Sequence, residues 1–138
     1  MNTYTRKINY YETDKMGITH HSNYIRFMEE ARVDFLERIG WGYKQMESNG
    51  IISPVVSISC NYKKMTTFDD VIEIHVSVKD ITFAKLIFNY NIKMDNVTVC
   101  TAESVHCFLC DGKPVNIQKK FPQFYEKLCE MRKLNEVV

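Results

Sequence analysis

The chain contains no apolar run near the roughly 20 residues that a membrane-spanning helix needs, so no membrane span is expected. No basic start leads into an apolar stretch of the secretory kind, and a cytoplasmic protein is the reading that follows. Neither sign of charge is in surplus: Lys and Arg number 18 against 17 for Asp and Glu, a formal net charge of +1. Without an overall field there is nothing to gather nucleic acid or an acidic membrane, and any anion binding must be local. Glycine and proline are scarce, at 5 and 3 residues, and they mark turns rather than a linker. No internal repeat or low-complexity tract interrupts the sequence. Residues 1–138 therefore read as a single domain, long enough to bury a real core.

Five cysteines, an odd number at irregular spacing, fit reduced thiols better than a disulfide framework. Cys107-Phe108-Leu109-Cys110 matches C-x-x-C but lies in a stretch that reads as a strand, where residues three apart point to opposite faces. The four histidines and five cysteines supply no second ligand pair at a metal-binding spacing, so no metal is expected.

What the chain does have is periodicity. Thr3 to Glu12 is rich in tyrosine and threonine, with Ile8 and Tyr10 on one face, and reads as a first strand. A helix follows from a cap at Ser22 or Asn23 to about Ile39, where Gly40 supplies a stop. Tyr24, Phe27, Met28, Ala31, Phe35 and Ile39 share its apolar face, which Ile25 and Leu36 widen towards half the circumference. After a less regular stretch from Trp41 to Ser53, a period of two appears in Val56, Ile58, Cys60 and Tyr62. It returns in Ile72, Ile74, Val76 and Val78, and again in Leu86, Phe88, Tyr90 and Ile92. Asp95-Asn96 makes a tight turn into a fourth strand of this series, Val97 to Cys110, which Asp111-Gly112 closes. Phe121, Phe124, Tyr125, Leu128 and Met131 mark a second helix, with Pro122 in its first turn.

The order is strand, long helix, four strands, helix. An α+β fold follows, in which a five-stranded antiparallel sheet wraps the long central helix and buries its wide apolar face. The sheet's edge still needs cover, and a second copy would supply it.

The stretch from Tyr10 to Tyr24 carries the chemistry. A carboxylate, a glycine turn, two histidines and a helix N-terminus fall within a dozen residues, which sets a base close to unpaired backbone N–H groups. Such a site suits a polarised carbonyl. On spacing alone Asp14 reads as a turn residue rather than a catalytic one.

The pattern Tyr11-Glu12-Thr13-Asp14-x-x-Gly17-x-x-x-His21-x-Asn23-Tyr24, followed by Phe27-Met28-Glu29-x-Ala31-Arg32, resembles the signature of the hotdog-fold acyl-CoA thioesterases. The nearest groups are the 4-hydroxybenzoyl-CoA thioesterase family and the bacterial Tol-Pal-associated thioesterases. Phe68-Asp69-Asp70 and Asp111-Gly112-Lys113-Pro114 sit where that family has similar turns, so the resemblance spans nearly the whole chain. It implies that Asp14 is the catalytic carboxylate and that the backbone N–H at His21 binds the thioester carbonyl. It also implies a homodimer or homotetramer with its site at the interface between copies, and no metal or cofactor.

The chemistry fits. A thioester carbonyl gains negative charge under attack, and helix N-terminal N–H groups stabilise it. Asp14 would act as general base towards water or as a nucleophile giving a mixed anhydride. Gly17 allows a positive φ and brings the backbone close to the acyl group. Tyr24, Phe27 and Met28 are candidates for an acyl pocket, although this spacing also describes core. Lys63, Lys64, Lys85, Lys119 and Lys120 are candidates for the coenzyme A phosphates, with Lys85 first among them. Glu29 and Arg32, three apart, can form a local ion pair. His20, His75 and His106 are read as having no chemical role.

The function expected is hydrolysis of a small or medium acyl-CoA to free acid and CoA. The alternative is a non-catalytic module that binds acyl thioesters or acyl carrier protein, for which a carboxylate beside the carbonyl would be a handicap. The hotdog dehydratases place a proline-rich segment after their histidine, whereas Ser22-Asn23 follows His21 here.

Overall fold

The wide apolar face of the long helix decides the architecture. In the computed structural model, which describes residues 3–136, that helix is α1 (Ser22–Arg38), with Phe27, Met28, Ala31, Phe35 and Leu36 buried along it. The five-stranded antiparallel sheet around it has the spatial order β1 (Thr3–Lys7), β4 (Val71–Ile81), β5 (Lys85–Met94), β6 (Val97–Cys107), β3 (Val55–Tyr62). Both edges of the sheet touch the helix. Tyr4 of β1 donates to Glu30 at 2.9 Å, while on the far edge Cys60 reaches Met28 at 3.7 Å and the Tyr62 and Tyr24 rings lie 5.3 Å apart. Between them Phe88 of β5 meets Phe35 edge-on at 5.7 Å. A sheet that reaches one helix from both edges is curled round it, and each large apolar side chain so enclosed contributes about 1.5–3 kcal/mol.

The period-two strands bury the residues expected: Ile72, Ile74, Val76 and Val78 of β4, and Leu86, Phe88, Tyr90 and Ile92 of β5. Asp95 and Asn96 turn the chain at φ 50° and 63°, and Asp111 and Gly112 at φ 53° and 75°. These are the paired left-handed positions of a two-residue hairpin. Helix α4 (Pro122–Glu136) starts on its proline and buries Phe124 and Leu128.

Several expectations are corrected. The first strand stops at Lys7, and Tyr10–Glu12 form a 3₁₀ turn instead. The buried Glu12 carboxylate accepts from the Asn9 N–H and from Arg6, both at 2.7 Å, and so draws the chain out of the ladder. Tyr10, expected beside the buried Ile8, is 75% exposed. Ile25 is also exposed, so the apolar face of α1 is widened by Leu36 alone. Edge position leaves Val56 and Tyr62 of β3 uncovered. The fourth strand breaks at Phe108, whose ring packs against Phe124 at 6.0 Å. Beyond it β7 (Leu109–Cys110) joins β2 (Ile51–Ile52) and β8 (Lys113–Pro114) in a small second sheet. Two short helices, α2 (Tyr43–Ser48) and α3 (Ile117–Lys120), lie in stretches without a periodic pattern.

All five cysteines are free thiols. Among the described residues no group of three or more His, Cys, Asp or Glu side chains could hold a metal, and no helix is long and apolar enough to cross a membrane.

Candidate active site

Asp14 opens a tight loop closed by its own backbone: its N–H donates to the Ile18 carbonyl at 2.9 Å, and its carbonyl accepts from the Gly17 N–H at 3.0 Å. Gly17 sits at φ 79°, where any side chain is strained. No atom lies within 4 Å of where a Cβ would stand, so the demand for glycine is conformational rather than steric. One carboxylate oxygen of the half-buried Asp14, Oδ1, accepts the Met16 N–H at 2.9 Å. The other, Oδ2, takes no hydrogen bond from the described residues.

The start of α1 is built differently from the expected Ser22 or Asn23 cap. Neither side chain caps the helix. The His20 ring accepts the Ser22 N–H through Nδ1 at 3.2 Å, so His20 has a structural task that its sequence position did not suggest. Asn23 instead donates its side-chain amide to the Glu12 carbonyl at 2.8 Å, beside the His20 N–H, which reaches the same oxygen at 2.8 Å. The Asn23 and Tyr24 N–H groups turn back to the carbonyls of His20 and His21. With those donors taken, the backbone N–H of His21 is left without an acceptor among the described residues. An unpaired donor at a helix start is the usual anchor for developing negative charge.

Asp14 and His21 line one cavity of about 410 Å³. Its other walls are mostly apolar, from Met16, Ile18, Tyr24, Tyr62 and Met65, and Lys63 and Lys64 stand on it as the two cations. Both lysine N–H groups bond to the Val99 carbonyl, at 2.8 and 3.1 Å, which fixes the backbone that carries them. Tyr62, on the edge strand, donates its hydroxyl to the His21 carbonyl at 3.3 Å. Burial pushes the Tyr24 hydroxyl up from its ordinary pKa, so it stays neutral.

The arrangement offers a carboxylate, an unpaired backbone donor and an apolar wall within one concave site. The thioesterase-like superfamily matches residues 8–128 of the chain. A hypothetical protein from Aquifex aeolicus of known crystal structure is 36% identical, with a TM-score of 0.84 over 89% of this chain and 98% of that one. A DHNA-CoA thioesterase from Staphylococcus aureus is 28% identical, with a TM-score of 0.91 over 97% of this chain and 92% of that one. The Bacillus subtilis protein YneP, whose name places it provisionally among acyl-CoA thioesterases, is 32% identical over 88% of this chain and 92% of its own length. The chain belongs to the thioesterase-like superfamily. Its fold is the hotdog fold and its enzyme class that of a thioester hydrolase.

In this thioesterase-like chain, the residues that sequence singled out fall into three groups. Asp14, His21 and Tyr24 meet at the cavity, with Gly17 in the loop that carries Asp14. Phe27 and Met28 are fully buried core, Phe27 lying under the Arg6 guanidinium at 4.2 Å. Lys85 opens β5 opposite Cys107, while Tyr62 at the cavity lies opposite Cys100. Those seven positions along β6 put Lys85 roughly 23 Å along the sheet from Tyr62 in the same chain. Of the lysines considered, Lys63 and Lys64 line the cavity.

The expected Glu29–Arg32 pair does not form. Glu29 faces solvent, whereas Arg32 is buried and donates to the Tyr43 and Tyr90 hydroxyls, each at 3.0 Å. Sequence reading also passed over Tyr62, Met65 and Thr66. No local signal marks them, because they reach the site only through the curl of the sheet.

Proposed function

We propose that the chain hydrolyses a small or medium acyl-CoA to the free acid and CoA, within the cavity that Asp14 and His21 share. One observation supports this reading: Asp14 and His21 line the same mostly apolar cavity, and among the described residues neither Asp14 Oδ2 nor the His21 N–H has a hydrogen-bond partner. The thioester carbonyl accepts from the His21 N–H, at the positive end of α1. Asp14 Oδ2 takes a proton from water, the water oxygen bonds to the carbonyl carbon, and the C–S bond breaks with release of the thiolate. Direct attack by Asp14 Oδ2, giving a mixed anhydride that water then opens, uses the same geometry. Tyr24, Met16, Ile18 and Met65 receive the acyl group, and Lys63 and Lys64 meet the phosphates of the coenzyme in preference to Lys85.

Within the superfamily, the resemblance of the motif around Asp14 supports membership of the 4-hydroxybenzoyl-CoA or Tol-Pal-associated groups. It works in the cytoplasm as a homodimer or homotetramer, with a second copy covering the edge of the sheet and the mouth of the site. Acyl carrier protein is an alternative carrier of the same acyl group, and a thiol-release assay on matched CoA and carrier-protein substrates separates the two.

The decisive experiment is Asp14→Asn. Asparagine keeps an oxygen for the Met16 N–H but removes the base, so kcat should fall by about 10²–10⁴-fold. Binding of a non-hydrolysable acyl-CoA analogue should hold or improve. His21→Ala should cost less, since the backbone N–H survives. Turnover within a few-fold of the parent in Asp14→Asn would remove the catalytic assignment. Binding without turnover across a broad acyl panel by the parent would leave a binding module.

A further inference from the structure

The two halves of the site belong to different elements, and buried side chains join them: Thr19, next to the Asp14 loop, interacts with the Tyr24 hydroxyl of α1, and a third residue bonds to both. Asn23 and His20 anchor the helix start to the Glu12 carbonyl, upstream of the loop. The downstream side of the loop is held by a third element, the connection from β3 to β4.

That connection is pinned at both ends. Lys63 and Lys64 bond to Val99 of β6; Asp69 and Asp70 exchange backbone bonds with Ile8, at 3.0 and 2.8 Å. Between these anchors it presents Thr66, which is 2% exposed. Its carbonyl accepts the Thr19 N–H at 2.8 Å. Its hydroxyl bonds to the Thr19 hydroxyl at 2.6 Å and to the Tyr24 hydroxyl at 2.8 Å. The neighbouring Thr67 donates its hydroxyl to the Gly17 carbonyl at 2.6 Å. Thr19 directly follows the loop that Asp14 opens and pairs with Thr13 just before it, and Tyr24 lies in the first turn of α1. The Thr66 hydroxyl therefore sits between the carboxylate-bearing loop and the helix start, bonded to one on each side.

We propose that Thr66 is a positioning residue, whose hydroxyl holds the Asp14 loop and the His21 N–H in one mutual geometry. The inference rests on the thioesterase reading of the site. A reaction that needs a base and an oxyanion donor at fixed separation loses rate steeply when one moves by about 1 Å, up to about 10²-fold. Substrate affinity responds far less, because the apolar walls and Lys63 and Lys64 stay in place. The three buried hydroxyls form one network, so losing the Thr66 hydroxyl takes one partner from each of its neighbours and leaves only their contact with each other.

The test is Thr66→Val, which keeps the shape and removes the hydroxyl, with Thr66→Ser as the conservative return and Tyr24→Phe as the cut on the other side. On the best acyl-CoA of a panel, kcat in Thr66→Val should fall about 10-fold with KM within about twofold. Thr66→Ser should restore kcat to within about threefold, and Tyr24→Phe should lower kcat in the same sense. In an Asp14→Asn background, Thr66→Val should add little, because the group it positions is already gone. A folded Thr66→Val with parental kcat overturns the proposal, and so does a full additional loss in the Asp14→Asn background, which is what a merely structural residue would give. If Thr66→Val does not fold, Tyr24→Phe decides: unchanged kcat there overturns the proposal. Failure of Asp14→Asn to lose turnover sinks the thioesterase assignment instead, and is read separately.

Discussion

His106 ends a buried relay of hydroxyls, and the direction of that relay predicts how the fold responds to acid. Arg32 only donates, so the Tyr90 oxygen accepts from Arg32 Nη1 at 3.0 Å. Tyr90 then passes its own proton to Ser104 Oγ at 2.7 Å, and Ser104 passes on to His106 Nε2 at 2.8 Å. Nε2 is thereby an acceptor, and the imidazole is neutral with its proton on Nδ1, towards the Ser53 backbone. Burial first, and the Arg32 charge second, bring its pKa down from 6.5 to about 4. Above about pH 6.5 the imidazole is neutral in both folded and unfolded chains and adds no pH dependence. Between there and about pH 4 only the unfolded chain takes up the proton, so stability falls as pH falls, and below about 4 the loss is complete. At about 1.4 kcal/mol per pKa unit the loss approaches about 3 kcal/mol, a large part of the roughly 5–15 kcal/mol that holds a domain together. Urea unfolding at steps from pH 7.5 to 4.5 measures it, with His106→Asn as the non-titrating control. The difference between parent and variant isolates His106 from the carboxylates that titrate nearby. Parallel stability curves for the two proteins across that range would refute the reasoning.

Gly17→Ala should cost about 1 kcal/mol of stability through its positive φ alone, yet lower kcat by more than that figure implies, since the same residue closes the Asp14 loop; comparing the urea midpoint with kcat tests this. The β3 edge, with Val55 and Val56 45% and 57% exposed, should pair with a second copy, and Val56→Lys should weaken that association and activity together. Analytical ultracentrifugation at micromolar concentration checks it, and a fully active parental monomer would contradict it.

The parts of this chain that could be read from sequence are those whose physics is local. Alternation in β4 and β5 and the breadth of the apolar face on α1 each reflect burial on one side of one element, and together they leave few ways to fold other than a sheet round a helix. The Asp95-Asn96 and Asp111-Gly112 turns are legible for the same reason, since only a few residue types tolerate their backbone. Reading failed where a specific side-chain contact overrides the local pattern. Tyr10 fits a strand pattern, but Arg6 and Glu12 bend the chain before it. Glu29 and Arg32 fit a helix pair, but Tyr90, 58 residues away, takes the guanidinium.

The candidate site divides along the same line. Asp14, Gly17 and His21 stand close together in sequence, and the fold keeps Asp14 and His21 on one cavity with Gly17 in the loop between them. Thr66, 47 residues beyond Thr19, shows nothing in sequence except a threonine in a polar loop, and Tyr62 shows only an alternating strand. Lys85, a lysine at a strand start, lies by strand register at the other end of the sheet from the cavity of its own chain. In a fold where one sheet closes on one helix, the residues that do chemistry can be local, whereas those that hold them in place come from wherever the sheet's curl brings its far edge. The supporting residues of such a site are therefore best sought on the strand and connection opposite the helix start, which here are β3 and the loop that leads from it to β4.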